Sequence, residues 1–298
     1  MPLIIYRLFM LKPMMRYTED RGKSMRLKFF IKVLLLGLGV VLFSCATVQK
    51  VFDNMGNSVS EVTSSITNRQ GNNAPSPSSQ NDPNRRADPD AANWDIAALD
   101  TAADVDYLTG IEKDVILEMN KARADPKKYA ELYIQPILQY NWGGPFGANS
   151  YLAPGETVYT GTDEGKSGIQ SCINDLSRRR SMSPLLPAQG LSFAARDHVN
   201  DTGPKGIIGH TGSDGSSMGQ RINRYGEWSR GAGENIDYGN NTGKDIVVQL
   251  LIDDGVPGRG HRNNILNQNF KYVGNAIGNH SSFDYMSVID FANEYTDK

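Results

Sequence analysis

The strongest constraint on this chain is a change of pattern near residue 104. From Asn54 to Asp100 the sequence is rich in Asn, Ser, Pro, Asp and Ala and poor in large apolar residues. Its centre, NNAPSPSSQNDPNRRADPD (Asn72–Asp90), has several prolines and no periodicity. Such a stretch cannot bury enough apolar surface to offset the entropy of ordering it. Val59, Val62 and Ile66 could form one brief helix before it. We read residues 46–104 as a flexible polar linker and residues 105–298 as the folded domain, where helical and strand patterns begin. The overall composition, 39% hydrophobic and 21% charged over 298 residues, fits an ordinary domain diluted by such a linker.

Ahead of the linker, MRLKFFIKVLLLGLGVVLFSC (Met25–Cys45) has the parts of an export signal. Arg26, Lys28 and Lys32 give a positive start, and Val33–Phe43 is apolar but shorter than the ~20 residues needed to cross a bilayer. Its end, Leu42-Phe43-Ser44-Cys45, is similar to a bacterial lipobox, with small Ser44 before the cysteine that would carry lipid. Residues 1–45 are therefore read as a lipoprotein signal segment, with Met25 as its start. Ala46, lacking the aspartate that retains some lipoproteins at the inner membrane, favours an outer membrane or exposed location. With Cys45 lipidated, Cys172 has no partner and is expected to be a small buried hydrophobe. The formal net charge of −2 argues against nucleic acid as a partner. Arg178–Arg180 is the basic cluster of the domain, expected on the wet face of a helix.

Within the domain, Thr109-Gly110-Ile111-Glu112 has the form of a capping box. Ile111, Val115, Met119 and Ala122 follow at helical spacing, and the helix should end near Pro126. Asn120 and Arg123 are expected at the helix surface or as cap partners. Residues 140–167 are loop-like and open to a lid, a hairpin or an inert loop. Helices are expected over Ile169–Arg180, around Leu191–Val199, and from Thr242 and Asp245 along Ile246, Val247, Leu250 and Leu251. KYVGNAIG (Lys271–Gly278) and DYMSVIDFANEY (Asp284–Tyr295) read as strands, with Gly278–Phe283 between them and His280 exposed there. Helices first and strands last point to an α+β fold.

Three blocks carry the chemistry: GHTGSDG (Gly209–Gly215), AGENI (Ala232–Ile236) and GRGHRNNIL (Gly258–Leu266). Each joins glycines, which permit tight turns, to a side chain that can bind a metal or move a proton: His210, Glu234 and His261. The chain has four histidines, and His210 and His261 both follow glycine. Two imidazoles with carboxylates suit zinc and its neighbours. The same residues could equally cap helices or satisfy a core. Ser213, Ser216 and Ser217 follow His210, but no G-x-S-x-G elbow is present, and Ser213-Asp214-Gly215 looks like turn chemistry. No HExxH, Walker loop or CxxC is present.

In order and spacing these blocks resemble the CAP superfamily of cysteine-rich secretory, antigen 5 and pathogenesis-related 1 proteins (the SCP-like extracellular domain), and most closely its bacterial, disulfide-free branch. The resemblance covers about Leu108–Tyr295. It implies a three-layer α–β–α sandwich with a site in a cleft at its edge. It also implies that His210 and His261 belong to a tetrad of two histidines and two acids. Glu234 matches the first acid, expected in a tight hydrogen-bonded loop with Asn235. The second falls on Asp254, with Asp253 as the fallback, and Leu251 stands where the family often has tryptophan. His198 is expected to line the cleft behind the site, Arg262 to neutralise a carboxylate, and Asn263 and Asn264 to fix their loop.

The function expected from this reading is an exported, membrane-tethered protein of the outer membrane, periplasm or cell surface. Its cleft would bind zinc or another divalent metal, or a lipid, cell-wall or host-protein ligand, with no nucleotide cofactor. One alternative is a metal-assisted hydrolase of peptide or cell-wall substrate, with His210 and His261 holding the metal and Glu234 as general base on its water. Another is a structural or adhesive surface protein in which the tetrad is only a polar core.

Overall fold

The computed structural model describes residues 16–18, 91–144 and 147–298. Apart from residues 16–18, the expected signal segment, Cys45 and the linker up to residue 90 lie outside the described residues. Helix α1 (Ile96–Leu99) comes first. Trp94 stacks against Tyr133, and Leu99 and Ala102 are buried, so this part of the expected linker packs on the domain.

Helix α2 (Gly110–Ala124) starts at the reciprocal cap: the Thr109 hydroxyl accepts from the Glu112 amide at 3.4 Å, and the Glu112 carboxylate accepts from the Thr109 amide at 2.7 Å. It stops at Asp125, before Pro126 opens the short helix α3 (Pro126–Tyr129). Val115, Ile116 and Met119 are fully buried, each contributing about 1.5–3 kcal/mol. Ile111 turns outward instead, at 41% exposure. Asn120 and Arg123 are buried cross-links rather than surface groups. The Arg123 guanidinium donates to the carbonyls of Ser183, Ile265, Asn267 and Phe270 at 2.8–3.1 Å.

The 140–167 segment adopts the hairpin alternative. β2 (Asn141–Trp142), β3 (Ser150–Leu152) and β4 (Val158–Gly161) pair antiparallel, and β1 (Arg16–Thr18) pairs with β4. Helix α4 (Lys166–Leu176) ends before the arginine run, so Arg178–Arg180 lie beyond the helix and not on its face.

The main sheet has the order β5-β7-β8-β6. β5 (Leu186–Pro187) runs parallel to β7 (Tyr272–His280), while β8 (Asp284–Asp297) pairs antiparallel with β7 and with β6 (Gly226–Tyr238). Alternation along the strands sends side chains to two helical layers. Val273, Ile289 and Phe291 meet the core of α2, α4 and α7 (Gly243–Ile252). Ile236, Ala276, Met286 and Val288 meet Ala195 and Val199 of α5 (Gln189–Thr202). The result is the α+β, three-layer α–β–α arrangement. At Gly274 the α5 backbone comes so close that a Cβ would fall 2.1 Å from the Ser192 nitrogen.

Several elements were not expected, among them α1, α3, β5 and two that frame the histidine blocks. Helix α6 (Met218–Tyr225) follows the first histidine block, and β6 carries AGENI as an edge strand, not as a loop. His280 is also buried, at 2% exposure, at the end of β7, its Nε2 3.3 Å from the Ile207 carbonyl.

Candidate functional site

The site is built around β6, whose alternation sends Glu234 to one face and Asn235 to the other. On the Glu234 side, the loop after α5 is fixed at Gly209, which has φ 103°. Its amide donates to the Tyr238 hydroxyl at 2.9 Å, and its carbonyl lies 2.8 Å from Nε2 of the buried His198. His198 thus clamps the residue before His210. The His210 Nδ1 lies 2.8 Å from Glu234 Oε1. Arg221 on α6 donates to Glu234 Oε2 at 2.5 Å and, through its other terminal nitrogen, to the carbonyls of His210 and Ser216. One guanidinium therefore ties the carboxylate to the backbone of the histidine beside it.

Burial raises the Glu234 carboxyl, but the His210 hydrogen bond and the Arg221 charge outweigh it and hold the group below its ordinary range. Asp290 faces Glu234 across the β6–β8 ladder and is fully buried. Burial first, then the charge of Glu234, pushes its carboxyl well above the ordinary value. The two facing carboxyls are thus shifted in opposite directions, Glu234 down and Asp290 up.

On the Asn235 side, α7 ends at Asp253, which takes a left-handed conformation (φ 54°). Its carboxylate, with no exposed side-chain area, accepts from the amides of His261 (2.9 Å) and Arg262 (3.2 Å), and the His261 Nδ1 lies 2.7 Å away. Arg262, at the centre of α8 (Gly260–Ile265), donates to the carbonyls of Leu251 and Ile252 at the end of α7 and stands 3.7 Å from Asp175. Asn235 donates to the His261 carbonyl at 3.0 Å and accepts from Asn264 at 2.9 Å. The strand that carries Glu234 is thereby bolted to α8, so that His261, Asn263 and Asn264 stand on a short helix and not in the expected loop.

The two histidines are held alike. A carboxylate can only accept, so each ring donates to it from Nδ1, and Nε2 is the ring nitrogen that the carboxylate does not engage. The His210 side chain is 55% exposed and that of His261 24%. Asp254, the expected second acid, is placed elsewhere: it accepts from the amides of Asp163 (2.5 Å) and Glu164 (3.1 Å) ahead of α4. The carboxylate at His261 is Asp253. Among the described residues no three His, Cys, Asp or Glu side chains gather into a metal-holding group. The described residues thus form no closed, four-ligand zinc site of their own.

Both Glu234 oxygens are engaged and its carboxyl is acidic, which suits an orienting anion better than a general base poised near neutrality. The serines are occupied too. Ser213 bonds to Asp201 and Lys205, and Ser217 caps α6 in a box with Gln220. Sequence reasoning passed over Arg221 and Asp290. The Ser217-x-x-Gln220 pattern marks the start of α6 and so places Arg221. An acid inside the apolar run SVIDF is the signal for Asp290.

Residues 170–291 match the family model of the cysteine-rich secretory protein family (CAP). The chain is 30% identical over 106 residues to the uncharacterized protein YkwD of Bacillus subtilis, covering 36% of this chain and 39% of that protein. An extracellular SCP-domain protein of Bacillus anthracis superposes with a TM-score of 0.33 at 21% identity, over 43% of this chain and 41% of that one. An outer surface protein of Borrelia burgdorferi gives 0.32 at 18% identity, over 44% and 94%.

Proposed function

We propose, from the premise that this chain carries a CAP domain of the bacterial, disulfide-free type, that it is an exported binding module. In this reading it recognises an envelope, lipid or host ligand at the edge of its main sheet, with Cys45 as its lipid anchor. The single observation that carries the binding assignment is the pair of carboxylate-backed imidazoles, His210 on Glu234 and His261 on Asp253. Each leaves an Nε2 that its carboxylate does not engage, which suits ligand contact or a divalent cation such as zinc. A zinc ion there would add a Lewis-acidic bridge to an oxygen or nitrogen of the ligand. Export is supported by the signal pattern at Met25–Cys45.

The test is zinc titration of the full chain by calorimetry, beside H210A/H261A. Binding of about one ion by the wild type and none by the variant supports the reading; equal binding by both overturns the metal part of it. Glu234→Gln separates binding from catalysis. A binder shows no turnover of peptides or cell-wall fragments in either form, whereas a hydrolase using this base would lose roughly 10²–10⁴-fold in rate. Radiolabelled fatty acid incorporated by the wild type and not by Cys45→Ser would support the anchor.

A further inference from the structure

The arginine run that the function above leaves unused lines a groove of its own. The groove has a volume of about 520 Å³, and Arg178, Arg179 and Arg180 line it together with Asn263, Asn267 and Asn269. No acidic and no aromatic side chain lines it. Arg179 is locked by two 3.1 Å bonds to Asp175 and one to Asn263. Arg178 and Arg180 are exposed, and neither guanidinium has a hydrogen-bond or ion-pair partner among the described residues. Asn267 accepts the Asn269 amide with its Oδ1, which leaves its side-chain NH₂ to donate.

The lining is held rigid from beneath. Buried Arg123 donates to Ser183, next in sequence to the lining residue Met182, to the lining residue Asn267, and to Ile265 and Phe270, which flank the lining segment Leu266–Asn269. The Met182 amide returns a 2.8 Å bond to the Arg123 carbonyl. The groove is therefore pre-organised, with two exposed guanidinium forks beside carboxamides: the Asn267 NH₂ can donate, while Asn263 is already engaged through Oδ1 by Arg179 and through Nδ2 with the Gly258 carbonyl. Guanidinium matches a phosphate oxyanion, and carboxamides match hydroxyl groups.

We propose that this groove is a second binding site, separate from the two histidines, for a phosphorylated polyol or sugar. The absence of aromatic side chains disfavours single-stranded nucleic acid, which needs stacking surfaces. The concave lining, in which Met182 and Leu266 sit among the arginines and carboxamides, disfavours a flat lipid surface, which calls for apolar side chains that insert into it.

The experiment is calorimetric titration of the full chain with glycerol 3-phosphate, a glycerol-phosphate oligomer and, as the neutral control, glycerol. The wild type should bind both phosphates, more weakly as salt rises, and should not bind glycerol. R178A/R180A, at two exposed positions, should lose at least about tenfold in affinity, while H210A/H261A should bind as the wild type does. Tighter binding of the oligomer assigns the site to a polymer, and equal binding per phosphate assigns it to a free polyol phosphate. The proposal is overturned by undetectable phosphate binding in the wild type, by unchanged affinity in R178A/R180A, or by loss of binding in H210A/H261A. Capture of the chain by phosphatidylglycerol vesicles or single-stranded DNA without binding of glycerol 3-phosphate also overturns it.

Discussion

Arg221 and Glu234 form a buried ion pair: a terminal guanidinium nitrogen lies 2.5 Å from Oε2, and the side chains are 1% and 2% exposed. Because the same guanidinium also holds the His210 carbonyl, the pair orders the first histidine as well as the carboxylate that accepts from its ring. Removing one charge leaves the other buried without compensation. Arg221→Met should therefore cost about 3–5 kcal/mol in denaturant unfolding, and the double variant R221M/E234L should recover most of it. Two independent, additive losses would show that the charges do not interact.

The Glu234–Asp290 pair fixes the pH response with opposite signs. Glu234 titrates lower in the folded state than when unfolded, so its contribution is present above the ordinary glutamate range and is lost as the pH falls through its folded value. Asp290 titrates higher when folded, so its contribution is complete below the ordinary aspartate range and is lost as the pH rises above it. Asp290→Asn should flatten the neutral-side decline of stability while leaving the acid limb in place. An unfolding free energy measured from pH 3 to 8 that keeps the same neutral-side slope in the variant would refute this.

Cys172 is fully buried, its thiol 3.1 Å from the Leu251 carbonyl, and burial pushes its pKa up to about 12. Thiolate is the reactive form. Iodoacetamide at pH 8 should leave Cys172 unmodified in the folded protein and label it on unfolding, as peptide mass spectrometry can read. Labelling of the native protein within minutes would mean that α4 opens readily.

At Gly274 an added methyl would press on the α5 backbone at Leu191 and Ser192, with no flexible side chain to yield. Gly274→Ala should destabilise by about 1–3 kcal/mol or more, seen as a lower midpoint of thermal unfolding. An unchanged midpoint would show that α5 can move away from the sheet.

The parts of this fold written in local chemistry were legible in advance. The Thr109–Glu112 box and the Thr242 cap set the starts of α2 and α7, and the β-branched and aromatic content of Lys271–Gly278 and Asp284–Tyr295 announced β7 and β8. β6 was hidden because its first half is glycine-rich and charged, as an edge strand facing water allows, and its register shifts between Ser229 and Ala232. α6 was hidden by its brevity and by a stripe of only Met218 and Ile222. His210, Glu234 and His261 could be named from their blocks, and the structure joins the first two directly. Which of Asp253 and Asp254 stands at His261 could not be read. It depends on the left-handed turn at Asp253, which sends two neighbouring carboxylates in different directions.

Arg123, Arg221 and Arg262 head the large side chains that are fully enclosed, and each ties segments distant in sequence through carbonyls or a carboxylate. They act as polar staples in a domain whose described cysteine, Cys172, is unpaired. Staples of this kind need no oxidant to form and no reductant can cut them. The folded domain should hold its shape equally on either side of a membrane, and its solvent-exchange protection should be the same with and without dithiothreitol.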